Sequence, residues 1–212
     1  RNWRNLVPCL EWMRYPITLL LSARGCAEDC AICGGSRSAY ERICNRQTPA
    51  YRSADKLVED IEAIERFSRA PIFMVHDPRM GGMERARRFF ALLEQRRPAN
   101  EMIFELYYPG GDEFFAMIER AVPAWSIEIT LESPDELHRQ ANGKWPWPNS
   151  TVERTIDRAI AHGCRTVDVF RQNPKVPAGG GSAAGAAVAA KPPAAAAAIH
   201  VRREIGSVIG AS

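Results

Sequence analysis

The feature that most constrains the fold is a repeated alternation of short apolar runs with amphipathic stretches. The apolar runs have the length of strands, and the stretches between them place apolar residues at helical spacing. The predicted strands are 17–21, 72–76, 102–107, 125–131 and 166–170, and the predicted helices are 53–67, 84–97, 112–121, 133–142 and 151–162. Strands that alternate with helices are typical of a parallel sheet with right-handed crossovers.

The predicted fold class is therefore α/β, as a partial (β/α) TIM-like barrel of five to six parallel strands. A complete eight-stranded barrel needs about 250 residues, and the pattern is lost after Phe170, where twelve of residues 178–198 are alanine. We expect a barrel that is truncated or degraded at its C-terminus, in a fragment or processed chain, since no methionine opens the sequence. The predicted divisions are an irregular lead-in (1–15), a core domain (16–172), a linker rich in alanine, glycine and proline (173–198) and a short terminal segment (199–212).

Composition and charge argue against two classes of partner. No apolar run approaches the roughly 18–20 residues that span a bilayer, so we expect no membrane association. The net charge of +3 is carried by residues 175–212, and the rest of the chain has 24 basic and 24 acidic residues. A neutral main domain gives no electrostatic reason to bind nucleic acid.

Polar residues alternate with apolar ones along the fourth predicted strand. The polar set is Ser126, Glu128, Thr130 and Glu132. Because strand side chains alternate between faces and the covering helices need the apolar face, the polar set is predicted to point into the barrel. Glu105 and Asp168 on the neighbouring strands fit the same scheme. Interior carboxylates indicate either a polar ligand or a network of satisfied internal hydrogen bonds.

Three of the six cysteines lie together directly after the first predicted strand. Cys26, Cys30 and Cys33 have the spacing C-x3-C-x2-C. Close thiolates in a loop favour a site for zinc or an iron–sulfur cluster over a disulfide framework. We therefore expect the protein in a reducing cytoplasm.

Two kinds of metal site are compatible with this loop. Zinc usually takes four protein ligands in a structural site, and Cys44 or His76 would have to complete it without the usual spacing. A cubane cluster held by three cysteines would leave one iron open to a small ligand. Gly34 and Gly35 would let the backbone approach that ligand closely.

The loop resembles the signature of the radical S-adenosylmethionine (radical SAM) superfamily. The segments that carry the resemblance are Arg24-Gly25-Cys26-x3-Cys30-x-Ile32-Cys33 after the first strand, Cys33-Gly34-Gly35-Ser36, Asp77-Pro78-Arg79, and Ile127-Glu128-x3-Glu132-Ser133 followed by Arg139-x3-Gly143-Lys144. The last three are similar to members associated with cobalamin-binding domains. Residues 16–172 would then be a radical SAM core domain.

The resemblance implies a function. Cys26, Cys30 and Cys33 would ligate a [4Fe–4S] cluster whose open iron binds S-adenosyl-L-methionine. The enzyme would cleave this cofactor reductively to a 5′-deoxyadenosyl radical, which takes a hydrogen atom from a small-molecule substrate. The implied partners are a one-electron donor protein, such as flavodoxin or ferredoxin, and cobalamin held by a domain outside this sequence.

The resemblance also implies contacts to S-adenosylmethionine. Asp77 stands where the family often has Gly-Gly-Glu, so it is the candidate for the methionyl amine. Glu132 and Ser133 are candidates for the ribose, and Arg139 is the candidate for the methionyl carboxylate. Gly34 and Gly35 complete the predicted cofactor contacts, and no catalytic residue is assigned beyond the cluster.

Two other readings of the residues remain open. The cysteine loop would also suit a non-catalytic module that binds zinc or an iron–sulfur cluster. The chain would otherwise be an inactive fragment of a radical SAM enzyme, cut short by its alanine-rich tail.

Overall fold

A computed structural model describes residues 17–31, 33–171 and 199–200. The predicted lead-in, the predicted linker and the terminal segment from residue 201 onward lie outside the described residues. None of the helices in the described part of the chain is long and apolar enough to cross a membrane.

The described residues form eight strands and six helices. The strands are β1 (Thr18–Leu21), β2 (Ala23–Arg24), β3 (Ala50–Tyr51), β4 (Ile72–Val75), β5 (Met102–Leu106), β6 (Trp125–Glu132), β7 (Val167–Arg171) and β8 (Ile199–His200). The helices are α1 (Arg37–Cys44), α2 (Ala54–Glu65), α3 (Met83–Arg96), α4 (Asp112–Ala121), α5 (Glu136–Ala141) and α6 (Asn149–Ala161).

Five strands build a parallel sheet in the order β1-β4-β5-β6-β7. Strand β8 pairs antiparallel with β7, and β2 and β3 form a separate antiparallel ladder. Strands β1 and β7 do not pair with each other in the described part of the chain. The predicted α/β partial barrel is therefore confirmed, with five parallel strands.

The core lies between the sheet and the helices that cover its outer face. Phe104 from β5 and Ile127 from β6 are fully buried there against Phe90 of α3 and Phe115 of α4. A Cβ on Gly110 would lie 2.1 Å from the Phe115 ring, so only glycine lets this ring pack beneath the loop after β5.

Strand β1 differs from its prediction. Its apolar run predicts burial on both faces, but only Leu20 is buried, at 2% exposure, while Leu19 and Leu21 are 54% and 59% exposed. The reason is that β1 is an edge strand of the described sheet, so its inner face meets no opposing strand.

Residues 36–52 are polar and contain Pro49, which predicts a loop. That prediction is wrong, because helix α1 and strand β3 lie within this segment. The Ser36 side chain accepts a hydrogen bond from the Ala39 amide at 3.4 Å, which caps the start of α1, and Asn45 ends it at φ 51°. No residue of α1 is buried, so the helix adds nothing to the core on which the other predictions rest.

The inner face of the sheet is polar where the alternation predicted it. Glu105, Glu128 and Asp168 occupy the same register on β5, β6 and β7. The Thr130 hydroxyl donates to Glu105 at 3.1 Å, while the alternate residues Ile127 and Ile129 are fully buried beneath the helices. The sheet therefore presents a row of three carboxylates to the barrel interior.

This row makes stability depend on pH. Burial, followed by the charges of Glu105 and Asp168, raises the pKa of Glu128 from 4.5 to about 7. Between these values the folded protein keeps a proton that the unfolded chain has lost, so this group's contribution to stability falls as pH rises through the window.

We therefore predict that Glu128→Gln gains stability relative to the wild type as pH rises from about 4.5 to about 7, and that the gain then levels off. Urea unfolding of both proteins at several pH values measures the difference between their free energies of unfolding. A difference that stays constant across this range would contradict the raised pKa.

Candidate functional site

The three cysteines of the predicted metal site line one cavity of about 120 Å³ beside the C-terminal ends of the parallel strands. Three segments form its walls: the cysteine loop (residues 25–36), the tyrosine loop after β5 (107–111) and the tryptophan loop after α5 (142–148). The lining residues are Cys26, Glu28, Cys30, Cys33, Ser36, Tyr107, Tyr108, Gly143, Lys144, Trp145, Pro146 and Trp147.

Backbone amides of the cysteine loop point at its sulfur atoms. The Glu28 amide donates to Cys26 Sγ and the Gly35 amide donates to Cys33 Sγ, both at 3.4 Å. Such hydrogen bonds favour the thiolate, the form that binds metal. The Cys30 thiol instead donates to the Gly143 carbonyl at 3.5 Å.

Burial opposes ionisation of two of these thiols. It raises the pKa of Cys26, and it raises the pKa of Cys30 to about 11. The Lys144 ammonium acts against burial and lowers both pKa values. Cys33 is exposed. Without a bound cation Cys30 is therefore a neutral thiol at pH 7, and a metal that binds it must displace its proton.

The donor set suits an iron–sulfur cluster better than zinc. Three thiols share one cavity, and amide hydrogen bonds to sulfur are a feature of such clusters. Cys44 and His76, which a zinc site would need, do not line the cavity. In the described residues no three His, Cys, Asp or Glu side chains converge as a ready-made site for a single ion.

The tyrosine loop is held by an ion pair between the fully buried Asp77 and Arg79, whose side chain is 9% exposed. The Asp77 carboxylate accepts from the amides of Tyr107 and Tyr108 at 2.8 and 3.2 Å, and Arg79 Nη2 donates to it at 2.7 Å. The same guanidinium donates to the Tyr108 and Pro109 carbonyls at 2.6 and 2.8 Å. Asp77, the candidate for the methionyl amine, therefore has both oxygens engaged and does not line the cavity.

The tryptophan loop is held by a second buried guanidinium. Arg139, 1% exposed, donates to the carbonyls of Trp145, Trp147 and Ser133 and to the Asn149 side chain at 2.8–2.9 Å. The candidate for the methionyl carboxylate thus lies behind the loop, and its donors serve the backbone instead of facing the cavity.

The remaining predicted residues lie around the rim. Glu132 has a φ of 65° and lies 3.7 Å from the Lys144 ammonium, and the Ser133 hydroxyl accepts from the Asp135 amide at 3.1 Å. Gly34 and Gly35 are exposed on the cysteine loop. None of these four lines the cavity.

Sequence reasoning missed Lys144 as a site residue. Its side chain is 14% exposed, and its ammonium lies 5.5 Å from the centre of the Tyr107 ring. The available signal was its place directly after Gly143 in the motif that begins at Arg139. Lys144 puts a positive charge beside the cysteines.

The tyrosine loop and the tryptophan loop each form a hydrogen bond with the cysteine loop, on two sides of it. The Tyr108 hydroxyl donates a short hydrogen bond to Glu28. On the other side the Ala31 amide donates to the Asn142 carbonyl at 3.0 Å. A Cβ on Gly143 would lie 3.3 Å from the Asp29 carbonyl oxygen, so glycine allows this close approach.

We predict that Asp77→Asn destabilises the protein by about 3–5 kcal/mol, because it leaves the buried Arg79 guanidinium without its charged partner. Asp55→Asn is the matched control: it breaks the exposed pair with Arg88 and should cost far less, because water screens an exposed ion pair. Urea unfolding measures both. Equal costs would contradict the role assigned to the buried pair.

No protein-family model and no curated protein sequence matches this chain. Its structure is similar to the radical S-adenosylmethionine methyltransferase TsrM from Kitasatospora setae, solved with cobalamin and a [4Fe–4S] cluster bound. The identity is 12% and the TM-score 0.57, over 75% of this chain and 31% of that one. The FeFe-hydrogenase maturase HydG from Carboxydothermus hydrogenoformans is similar at 14% identity and TM-score 0.53, over 74% of this chain and 36% of that one. This chain therefore spans about a third of the length of each. The described part of the chain therefore shares its fold with these two solved structures.

Proposed function

We propose that this chain is the core domain of a radical SAM enzyme. Cys26, Cys30 and Cys33 hold a [4Fe–4S] cluster, and S-adenosylmethionine occupies the cavity beside it. The observation that carries the proposal is that three cysteines at the spacing C-x3-C-x2-C line one cavity beside the strand ends of a partial barrel with this fold. When bound, such a cluster supplies the electron that cleaves S-adenosylmethionine to methionine and a 5′-deoxyadenosyl radical.

The residues around the cavity prepare it for this cofactor. Amide hydrogen bonds to Cys26 and Cys33 stabilise thiolates, and the Lys144 ammonium offsets the negative charge that thiolates bring. Lys144 is also available to an anionic group of the ligand, and the nearby Glu132 orients it. Gly34 and Gly35 leave the backbone beside Cys33 open to close approach.

Two of the predicted contacts act indirectly in this proposal. Asp77 holds the tyrosine loop and Arg139 holds the tryptophan loop. Arg139 also binds the carbonyl of Ser133, so it fixes the strand end that was predicted to meet the ribose. Both residues therefore shape the walls of the cavity from behind.

The inner face of the sheet has a polar part and an apolar part that would suit a small-molecule substrate. Its polar wall is the carboxylate row of Glu105, Glu128 and Asp168, and its apolar wall is the exposed face of β1 with Leu19 and Leu21. Both walls adjoin the strand ends that carry the cavity. We propose that the substrate binds there, where the radical would form.

Further partners follow from the same proposal. A one-electron donor protein would approach at the exposed Cys33, and cobalamin, which is bound in the TsrM structure, would be held by residues outside this chain. The five cysteines of the described residues are free thiols, which fits a reducing cytoplasm.

Anaerobic reconstitution with iron and sulfide tests the metal assignment. We predict brown protein with about four iron and four sulfide ions per chain. Replacing Cys26, Cys30 or Cys33 by alanine should abolish stable uptake, because each substitution removes a ligand. Cys44→Ala, at an exposed cysteine away from the cavity, should leave uptake unchanged. Tight zinc binding without cluster formation would instead support a zinc module.

Addition of S-adenosylmethionine and a strong reductant to the reconstituted protein tests the activity. We predict 5′-deoxyadenosine above the level of a Cys30→Ala control, measured by chromatography. A loaded cluster that forms no 5′-deoxyadenosine would contradict the enzyme proposal and favour an inactive fragment.

A further inference from the structure

Glu28 connects three parts of the site. Its amide donates to Cys26 Sγ at 3.4 Å, and its carbonyl accepts from the Arg37 amide at 2.9 Å, where α1 begins. Its carboxylate accepts the short hydrogen bond from the Tyr108 hydroxyl. A shift of Glu28 would therefore move the hydrogen bond on the Cys26 sulfur.

The backbone of Tyr108 is fixed by hydrogen bonds to its amide and its carbonyl. Its amide is bound by the fully buried Asp77, and its carbonyl is bound by Arg79. Glu28 and Tyr108 are 80 residues apart in sequence. Within the described part of the chain, their contact is the one side-chain hydrogen bond between the tyrosine loop and the cysteine loop.

We propose that Tyr108 is a positioning residue for the cysteine loop. Its hydroxyl holds Glu28, and through Glu28 it fixes the amide hydrogen bond on Cys26. We call this contact the Tyr108–Glu28 tether. The tether holds the loop whether or not a metal or cofactor is bound. Its effect on a cluster rests on the proposed function.

The tether has a defined consequence for a bound cluster. Hydrogen bonds to the ligating sulfurs set the reduction potential of iron–sulfur clusters. An amide that donates to a thiolate draws off negative charge and favours the reduced cluster, so loss of a fixed amide lowers the potential. Removal of the Glu28 charge has the opposite sign, because a nearby carboxylate disfavours an added electron.

Amide hydrogen exchange on the unloaded protein tests the tether itself. Tyr108→Phe should speed exchange of the amides of residues 28–31 and 33–36 about tenfold, the loss expected for one hydrogen bond to a charged group. Tyr107→Phe is the matched control, since its hydroxyl bonds Glu105 and not the loop. Glu28→Gln keeps an acceptor for Tyr108 and should retain most of the protection.

Redox titration of the reconstituted protein tests the second step. Tyr108→Phe should shift the midpoint potential to a more negative value, and Glu28→Gln should shift it to a more positive one. A residue with a merely structural role would change the stability without giving these opposite signs. Equal shifts of the same sign would overturn the effect on the cluster.

Loop exchange in Tyr108→Phe that matches the wild type overturns the tether, whatever the loop binds. Fast exchange throughout the sheet would show that this variant unfolds. In that case Glu28→Ala, which removes the other partner of the tether, is measured in the same way. If the wild type takes up no cluster, the proposed function fails, and the exchange result alone still decides the tether.

Discussion

The site depends on two guanidinium groups with little exposure to water, each of which fixes a loop at the strand ends. Arg79 pairs with the fully buried Asp77 and binds the carbonyls of the tyrosine loop. Arg139 satisfies three carbonyls and one side-chain amide and holds the tryptophan loop. Burying a charge is costly unless it is paired or fully hydrogen-bonded, so each guanidinium specifies one arrangement of its loop. The cysteine loop, which has little apolar packing of its own, takes its shape from these two supports.

Much of the fold could be predicted, because burial imposes a period on the sequence. The alternation around Ile127 and Ile129 marked both the covered face of β6 and the polar interior row. Helix α1 escaped prediction, because it is short, lies in a polar segment and buries no side chain in the core. Its caps, Ser36 and Asn45, were an available signal. The exposure of Leu21 could not be predicted either, because an apolar run does not reveal whether an opposing strand will cover it.

For the site, sequence could predict which residues gather at the strand ends but not what each one faces. The three cysteines that the spacing grouped as one site line a single cavity. From sequence alone, however, a charged residue at a strand end is equally compatible with a contact to a ligand and with a contact to the backbone. Asp77 and Arg139 turn inward to amides and carbonyls, whereas Lys144 reaches the cavity. The deciding factor is the number of backbone groups left unpaired by the adjoining loops, which depends on tertiary structure.

The central claim is that the three cysteines hold a cluster with an iron open to S-adenosylmethionine. Electron paramagnetic resonance of the reduced, reconstituted protein tests it most directly, before and after S-adenosylmethionine is added. The account predicts the signal of a reduced [4Fe–4S] cluster whose g values change on addition, because the ligand binds an iron of the cluster. A cluster signal that does not respond to S-adenosylmethionine, or no cluster signal at all, would contradict it.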